Sequence, residues 1–210
     1  MVFTIRTLYG CGVLTSATTG LLTGLALIFA IGAQNSFVLR QGLARRHVGP
    51  VVAVCALSDL VLIVAGVSGI GAVVDHASWV IDVVRWAGVA FLTWYGVSSL
   101  MRARRPSSLQ AARGDTADLG ATVVKALALT WLNPHVYLDT VLLLGSIANT
   151  DPLPWWFAFG AGSASILWFA GLGYGARLAH RRLSTPRAWQ LLDVLIGVTM
   201  LAIAVGLALD

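Results

Sequence analysis

Apolar residues gather into six long runs, at about 17–39, 51–74, 80–100, 121–147, 155–178 and 189–209. A helix that crosses the hydrocarbon core needs roughly 20 apolar residues, and each run reaches that length. The alternation of apolar and polar positions that marks a membrane β-barrel strand is absent. The pattern therefore predicts an all-α integral membrane protein with six transmembrane helices in a single polytopic domain over residues 1–210. The segments between the runs leave no soluble domain of useful size. The first run is longer than a typical signal-peptide core. Arg6 is a weak basic start to it, and no small-x-small site closes it. It reads as a span.

The polar residues between the runs are unevenly signed. Arg40, Arg45 and Arg46 lie in the first loop, Arg102, Arg104, Arg105 and Arg113 in the third, and Arg177, Arg181, Arg182 and Arg187 in the fifth. The second loop has Asp75, His76 and Asp82, with Arg85 just beyond; the fourth has Asp151 and no base; the chain ends on Asp210. Eleven of the 14 bases thus sit on alternate loops. The positive-inside rule places those loops, near Arg45, Arg104 and Arg181, in the cytoplasm. Both termini then face outward from a bacterial cytoplasmic membrane crossed several times. A first segment that failed to span would put the N-terminus inside, and Arg6 favours that variant. Trp79, Trp155, Trp156 and Trp189 fall near predicted helix ends, where tryptophan anchors to the interface.

Composition agrees with this reading. The chain is 58% hydrophobic and 11% charged, against about 25% charged in soluble domains. Topology accounts for the net charge of +5, so no nucleic-acid partner is implied; the partner is the lipid bilayer. Cys11 and Cys55 lie in or beside apolar segments and read as small hydrophobes. They support neither a disulfide framework nor a metal site, and no cofactor is implied.

The polar loop over residues 101–120, with Pro106, Ser107, Ser108, Gly114, Asp115 and Asp118, divides the chain into two blocks of three helices, at about 17–100 and 121–209. The blocks match in places. Asn35 corresponds to Asn133; Ser58, Leu62 and Gly66 to Ser163, Leu167 and Gly171; Gly88 and Leu92 to Gly197 and Leu201. An odd number of helices per repeat inverts the second copy, and inverted repeats are a recurrent plan of secondary transporters. Their sites lie near mid-membrane at helices broken by Gly or Pro. Here Gly32-Ala-Gln-Asn-Ser36 interrupts the first run, and Asn133-Pro134 interrupts the fourth.

These interruptions hold the polar chemistry. Pro134 lacks an N–H and clashes with the carbonyl of Thr130, and Asn133 before it is pushed from helical geometry. The Thr130 carbonyl is expected to lose its intrahelical donor. Further along, His135 and Asp139 are four apart on one face; Asn133, Tyr137 and Thr140 share another. Gln34, Asn35 and Ser36 are consecutive, and unwinding after Gly32 would let their amides line a cavity. A polar helix end at the interface accounts for them nearly as well, and Arg40 and Gln41 fit that reading. Asp59 lies deep in the second run. Ionisable residues at that depth are costly and usually mark substrate or ion pathways. Lys125, Arg85 and Arg40 lie near predicted helix ends and can snorkel, which leaves few cations to pair with it. Burial favours the neutral acid and a bound cation favours the charged one, the opposition that proton–cation exchange requires. Asp82 and Asp193 read as structural acids opening helices 3 and 6. Ser163 is a weaker site candidate through its match to Ser58, as are His135 and Tyr137. Ser165 and the glycines around it read as packing.

The stretches Gly32-Ala-Gln-Asn-Ser-Phe-Val-Leu-Arg-Gln-Gly42 with Leu57-Ser-Asp59, and Leu129-Thr-Trp-Leu-Asn-Pro-His-Val-Tyr-Leu-Asp139, resemble the two signatures of the LysE/ArgO family of bacterial basic amino acid exporters. The resemblance covers nearly the whole chain; residues 1–16 precede the family-like start. Related homoserine/threonine exporters usually carry a proline-rich element where Gly32-Ala-Gln-Asn35 stands here, which favours the lysine/arginine branch. The resemblance implies export of L-lysine or L-arginine across the cytoplasmic membrane, driven by the proton-motive force with protons as coupling ion. It carries translocation roles onto Gln34, Asn35, Asp59, Asn133, Pro134 and Asp139. Two alternatives remain at this point. One is a divalent metal cation exporter using Asp59, Asp139, His135 and Asn133, against which stands the absence of glutamate. The other is a membrane-embedded enzyme using His135 and Asp139, against which stands the absence of a hydrolase, metalloprotease or CxxC motif. Lysine versus arginine preference and oligomeric state, a homodimer included, stay open.

Overall fold

The computed structural model describes residues 2–29, 32–69, 78–104, 118–183 and 186–209. Arg105, Pro106, Ser107, Ser108, Arg113, Gly114, Asp115, Asp75, His76 and Asp210 lie outside them, as do the side chains of Arg6, Cys11, Trp79, Pro134, Arg181 and Arg182. In chain order come α1 (Val2–Ile28), α2 (Ala33–Ala44), α3 (Val48–Val67), α4 (Ser78–Ala103) and α5 (Leu119–Trp131). Then follow a single turn, α6 (Pro134–Val136), a π-helical stretch (Tyr137–Leu144), α7 (Gly145–Thr150), α8 (Pro154–Leu183) and α9 (Pro186–Leu209). No strand occurs among the described residues, so the all-α class holds. Among the described residues, Val48–Val67, Pro154–His180 and Trp189–Leu209 are each long and apolar enough to cross a bilayer, and Gly12–Ile28 with Ala33–Ala44 forms a bent pair that has the length and composition of a broken span or a re-entrant loop.

Two apolar runs differ from expectation. The first is not one helix over 17–39. Helix α1 starts at Val2, which draws residues 2–16 into it, and ends at Ile28; the chain resumes as α2 at Ala33. Gly32 is the N-cap, extended at φ −99° and ψ −179°. The backbone does not unwind after Gly32: Gln34, Asn35 and Ser36 form the first turn of a new helix. In the fourth run Pro134 opens α6 instead of kinking a continuous helix. Proline suits a first helical position, where no N–H is needed. The Thr130 carbonyl is not freed. It accepts the Asn133 N–H at 3.4 Å, while Thr130 Oγ1 donates to the Ala126 carbonyl at 3.0 Å.

The chain forms two compact units. One gathers Met1–Ala30, Ala56–Ser78 and His135–Trp168; the other gathers Ile31–Cys55, Trp79–Pro134 and Phe169–Asp210. Each draws on segments from both sides of the polar loop.

In the first unit, Ile63, Val67, Leu144, Ala148, Phe157, Ala158 and Ala161 make the core, with Leu27 and Ile147 packed on it. Small residues let the backbones touch. A Cβ on Gly66 would sit 2.8 Å from the Val141 carbonyl oxygen, and one on Gly145 would sit 2.8 Å from the Gly66 carbonyl group. Asn149 Nδ2 donates to the Gly145 carbonyl at 2.9 Å and reaches the Gly66 carbonyl at 3.5 Å. Ser16 Oγ donates to Asp151 Oδ1 at 2.5 Å, and Asp151 also accepts the Leu153 N–H at 2.8 Å.

In the second unit, Leu43, Ala176 and Trp189 pack together with Leu39, Ala44 and Leu192 around them, and α2 lies against α5 and α9. Asp193 does not open a helix. It is the eighth residue of α9, 7% exposed, and it pairs with Arg40 and, at 3.5 Å, with Arg102 Nε. Arg40 is thus held by a carboxylate instead of snorkelling. Arg102 also donates to Ser99 Oγ at 2.6 Å and lies 5.8 Å over the Tyr95 ring. Asp82 is the fifth residue of α4 and is exposed.

Candidate functional site

Asp59 is the twelfth residue of α3 and is 5% exposed. Its neighbours along α3, Leu62 and Ile63, are buried apolar side chains. A carboxylate in such a place needs hydrogen-bond donors, and Ser165 Oγ on α8 donates to Asp59 Oδ2 at 2.8 Å. Small residues on α8 make this approach geometrically available. Gly162, Ala161 and Ala164 surround the position, and a Cβ on Gly162 would sit 2.5 Å from Leu60 Cδ2.

Ser163 does not face Asp59; its hydroxyl donates to the Phe159 carbonyl of its own helix at 2.8 Å. Ser165, read from sequence as packing, is the serine that meets the acid. A signal for it existed. Ala158, Ala161 and Ser165 repeat at helical spacing and are all buried, which marks the inward stripe of α8. Ser163 lies on the side of Phe159, which is 64% exposed.

The polar residues after Pro134 lie on an unusual backbone. The π-helical stretch begins at Tyr137 and carries Asp139. Such wide turns are rare and frequently coincide with functional sites. His135 and Asp139 are both exposed and lie within electrostatic reach of each other, as their spacing predicts. Tyr137 is half-buried. Asp59, His135, Tyr137, Asp139 and Ser163 belong to the first unit, where Ser165 donates to Asp59 and His135 lies within electrostatic reach of Asp139.

Gln34, Asn35, Asn133 and Pro134 belong to the second unit. Gln34 and Asn35 are the second and third residues of α2 and half-buried; Gln34 Nε2 is buried without a hydrogen-bond partner. Asn133 is half-buried between α5 and α6, and Pro134 is the first residue of α6. Among the described residues, no three His, Cys, Asp or Glu side chains converge as a metal-binding group.

Apolar helices of membrane-spanning length, two broken runs and a hydrogen-bonded carboxylate buried within one of those helices are the features of a helical membrane protein. The family comparison makes the class specific. Residues 25–210 match the model of the LysE type translocators, and the chain belongs to that family. It is 44% identical over 194 residues to the arginine exporter protein ArgO of Salmonella enteritidis PT4, covering 90% of this chain and 91% of the relative. It is also 44% identical over 182 residues to the candidate amino-acid transporter Rv0488 of Mycobacterium tuberculosis, covering 86% and 90%. No solved structure matches the chain. A translocator moves its substrate chemically unchanged, so the protein is not an enzyme.

Proposed function

We propose that this protein exports basic amino acids, L-arginine or L-lysine, across the bacterial cytoplasmic membrane in exchange for protons. The observation that carries the reading is Asp59, a carboxylate 5% exposed within a membrane-length helix and held by Ser165, in a family of translocators with relatives named arginine exporters. A bound cationic substrate favours the charged form of a buried acid, and a proton neutralises that acid when the substrate leaves. Exporting one positive charge against an inside-negative potential costs about 2.3 kcal/mol per 100 mV, so accumulation outside requires coupling. Asp139, with His135 beside it, is the second acid assigned to the path. Gln34, Asn35, Asn133, Pro134 and Tyr137 are assigned supporting roles at the two helix breaks. The proposal includes six spans in two inverted blocks, both termini outside, and the loops near Arg45, Arg104 and Arg181 in the cytoplasm.

The test is uptake of labelled L-arginine and L-lysine into inside-out vesicles energised by a proton gradient, comparing wild type with Asp59→Asn and Asp139→Asn. Wild-type uptake that collapses in Asp59→Asn supports the reading. Full gradient-driven uptake by both variants refutes the exchange mechanism, and no uptake of either amino acid by folded wild type refutes the substrate assignment.

A further inference from the structure

We propose that the start of α2 is an anion subsite that takes the α-carboxylate of the exported amino acid; the identity of that anion rests on the export reading above. Helix α2 runs for 12 residues from Ala33, and its N-cap is Gly32, which contributes no side-chain hydrogen bond. The first-turn amides of a helix have no intrahelical acceptor, and the helix end carries a partial positive charge. No acidic residue lies in this first turn, and Ala33, its first residue, is fully buried.

Ser36 is 3% exposed and its Oγ has no hydrogen-bond partner; Gln34 Nε2 is likewise buried and unpartnered. Helical side chains tilt toward the N-terminus of their helix. Ser36, one turn beyond Gly32, thus projects back over the uncapped end. The Ser36 hydroxyl and the Gln34 amide NH2 are both donors. Buried donors are rarely left without acceptors in folded proteins. Arg40, one further turn along the same face, is itself a donor and is paired with Asp193, so it supplies no acceptor. The species that satisfies this set has several lone pairs and a negative charge. A carboxylate meets both conditions, and helix N-termini favour such anions. An amino acid exporter has one to present on every substrate molecule. The subsite gives the transporter a reason to distinguish an amino acid from an amine with the same cationic side chain.

The experiment measures transport of L-arginine and of agmatine, which is arginine without its carboxylate, in inside-out vesicles bearing the full chain. L-Lysine and cadaverine form a second pair. Wild type should prefer the amino acid by at least about tenfold, the scale of one hydrogen bond to a charged group. Ser36→Ala should lower that preference several-fold, and Ser36→Thr, which keeps the hydroxyl, should retain it. Gln34→Glu is close to isosteric but places a negative charge at the subsite, so it should turn the preference toward the amine. If wild type carries agmatine as readily as L-arginine, or if the variants change both substrates in parallel, the subsite is wrong while the export reading stands. If wild type carries neither basic amino acid, both fall. Should Ser36→Ala fail to reach the membrane, the preference of Gln34→Glu decides alone.

Discussion

Gly66 stands where α3 touches the π-helical stretch that carries Asp139, and an alanine there tests whether this contact sets the structure of the first unit. A Cβ at Gly66 would lie 2.8 Å from the Val141 oxygen, 2.9 Å from the Thr140 oxygen and 3.1 Å from Val141 Cα. Ordinary contact begins at 3.4 Å, so the closest approach must open by 3.4 − 2.8 = 0.6 Å. Every obstructing atom is backbone, so no side-chain rotation relieves the clash and the two segments must separate. Overpacking of this kind costs typically 1–3 kcal/mol. Replacing Gly by Ala inside a helix returns up to about 1 kcal/mol. Backbone-to-backbone collision belongs at the upper end of the first range, which leaves a net loss of about 1–2 kcal/mol. Gly171 is the control. It lies inside α8, and a Cβ there meets nothing within 4 Å, so only the favourable helix term applies. For a chain of this size each kcal/mol moves Tm by about 2–4 °C. Gly66→Ala should therefore lower the Tm of the detergent-purified protein by roughly 2–8 °C, and Gly171→Ala should leave it unchanged or raise it. Transport by Gly66→Ala, assayed below its own Tm, should also fall, because the displaced segment holds Tyr137 and Asp139. Equal Tm shifts for the two variants would refute the argument that this crossing is closed at backbone contact.

Two further predictions concern side chains that sequence left in the background. Ser165→Ala removes the hydroxyl from Asp59 and should reduce arginine transport several-fold, with Ser165→Thr restoring much of it; transport by Ser165→Ala equal to wild type would show that the contact does not support the acid. Asp193→Asn leaves Arg40 and Arg102 facing each other without their shared carboxylate. Removing one partner of a buried pair costs about 3–5 kcal/mol, so Tm should drop sharply, and Arg40→Gln added to Asp193→Asn should recover part of the loss in a double-mutant cycle; strict additivity would mean that Arg40 and Asp193 do not interact.

Helix content, apolar runs and both break points were legible because each has a local cause. Apolar length marks a span, Gly32 and Pro134 mark interruptions, and none of this needs tertiary information. The form of the breaks was less legible. Proline inside a long apolar run predicts a kink with a freed carbonyl, yet the same residue also suits a first helical position. Which applies depends on whether the residues before it can leave the helix, and Leu132 and Asn133 do so while Asn133 donates back to Thr130. The π-helical register after Tyr137 has no composition signal at all in Tyr-Leu-Asp-Thr-Val-Leu-Leu-Leu.

Pairing across helices was the hardest to read, and for one physical reason. A carboxylate buried in an apolar helix announces itself through cost, but its partner need only be small and correctly aimed. Asp59 could be named from sequence because an ionisable side chain at that depth is costly. Ser165 could not be named the same way, because a serine on a glycine- and alanine-rich helix is equally at home as packing. Only its helical phase with Ala158 and Ala161 separates it from Ser163. Asp193 shows the converse. Near a predicted helix start it resembled an acid complementing the helix dipole, but α9 begins seven residues earlier, at Pro186. Asp193 therefore sits two turns inside, where a carboxylate is costly to bury unless cations come to it, and Arg40 and Arg102 do. An acid's depth in its helix, and not its distance from a polar loop, decides whether its partners must be sought on other helices.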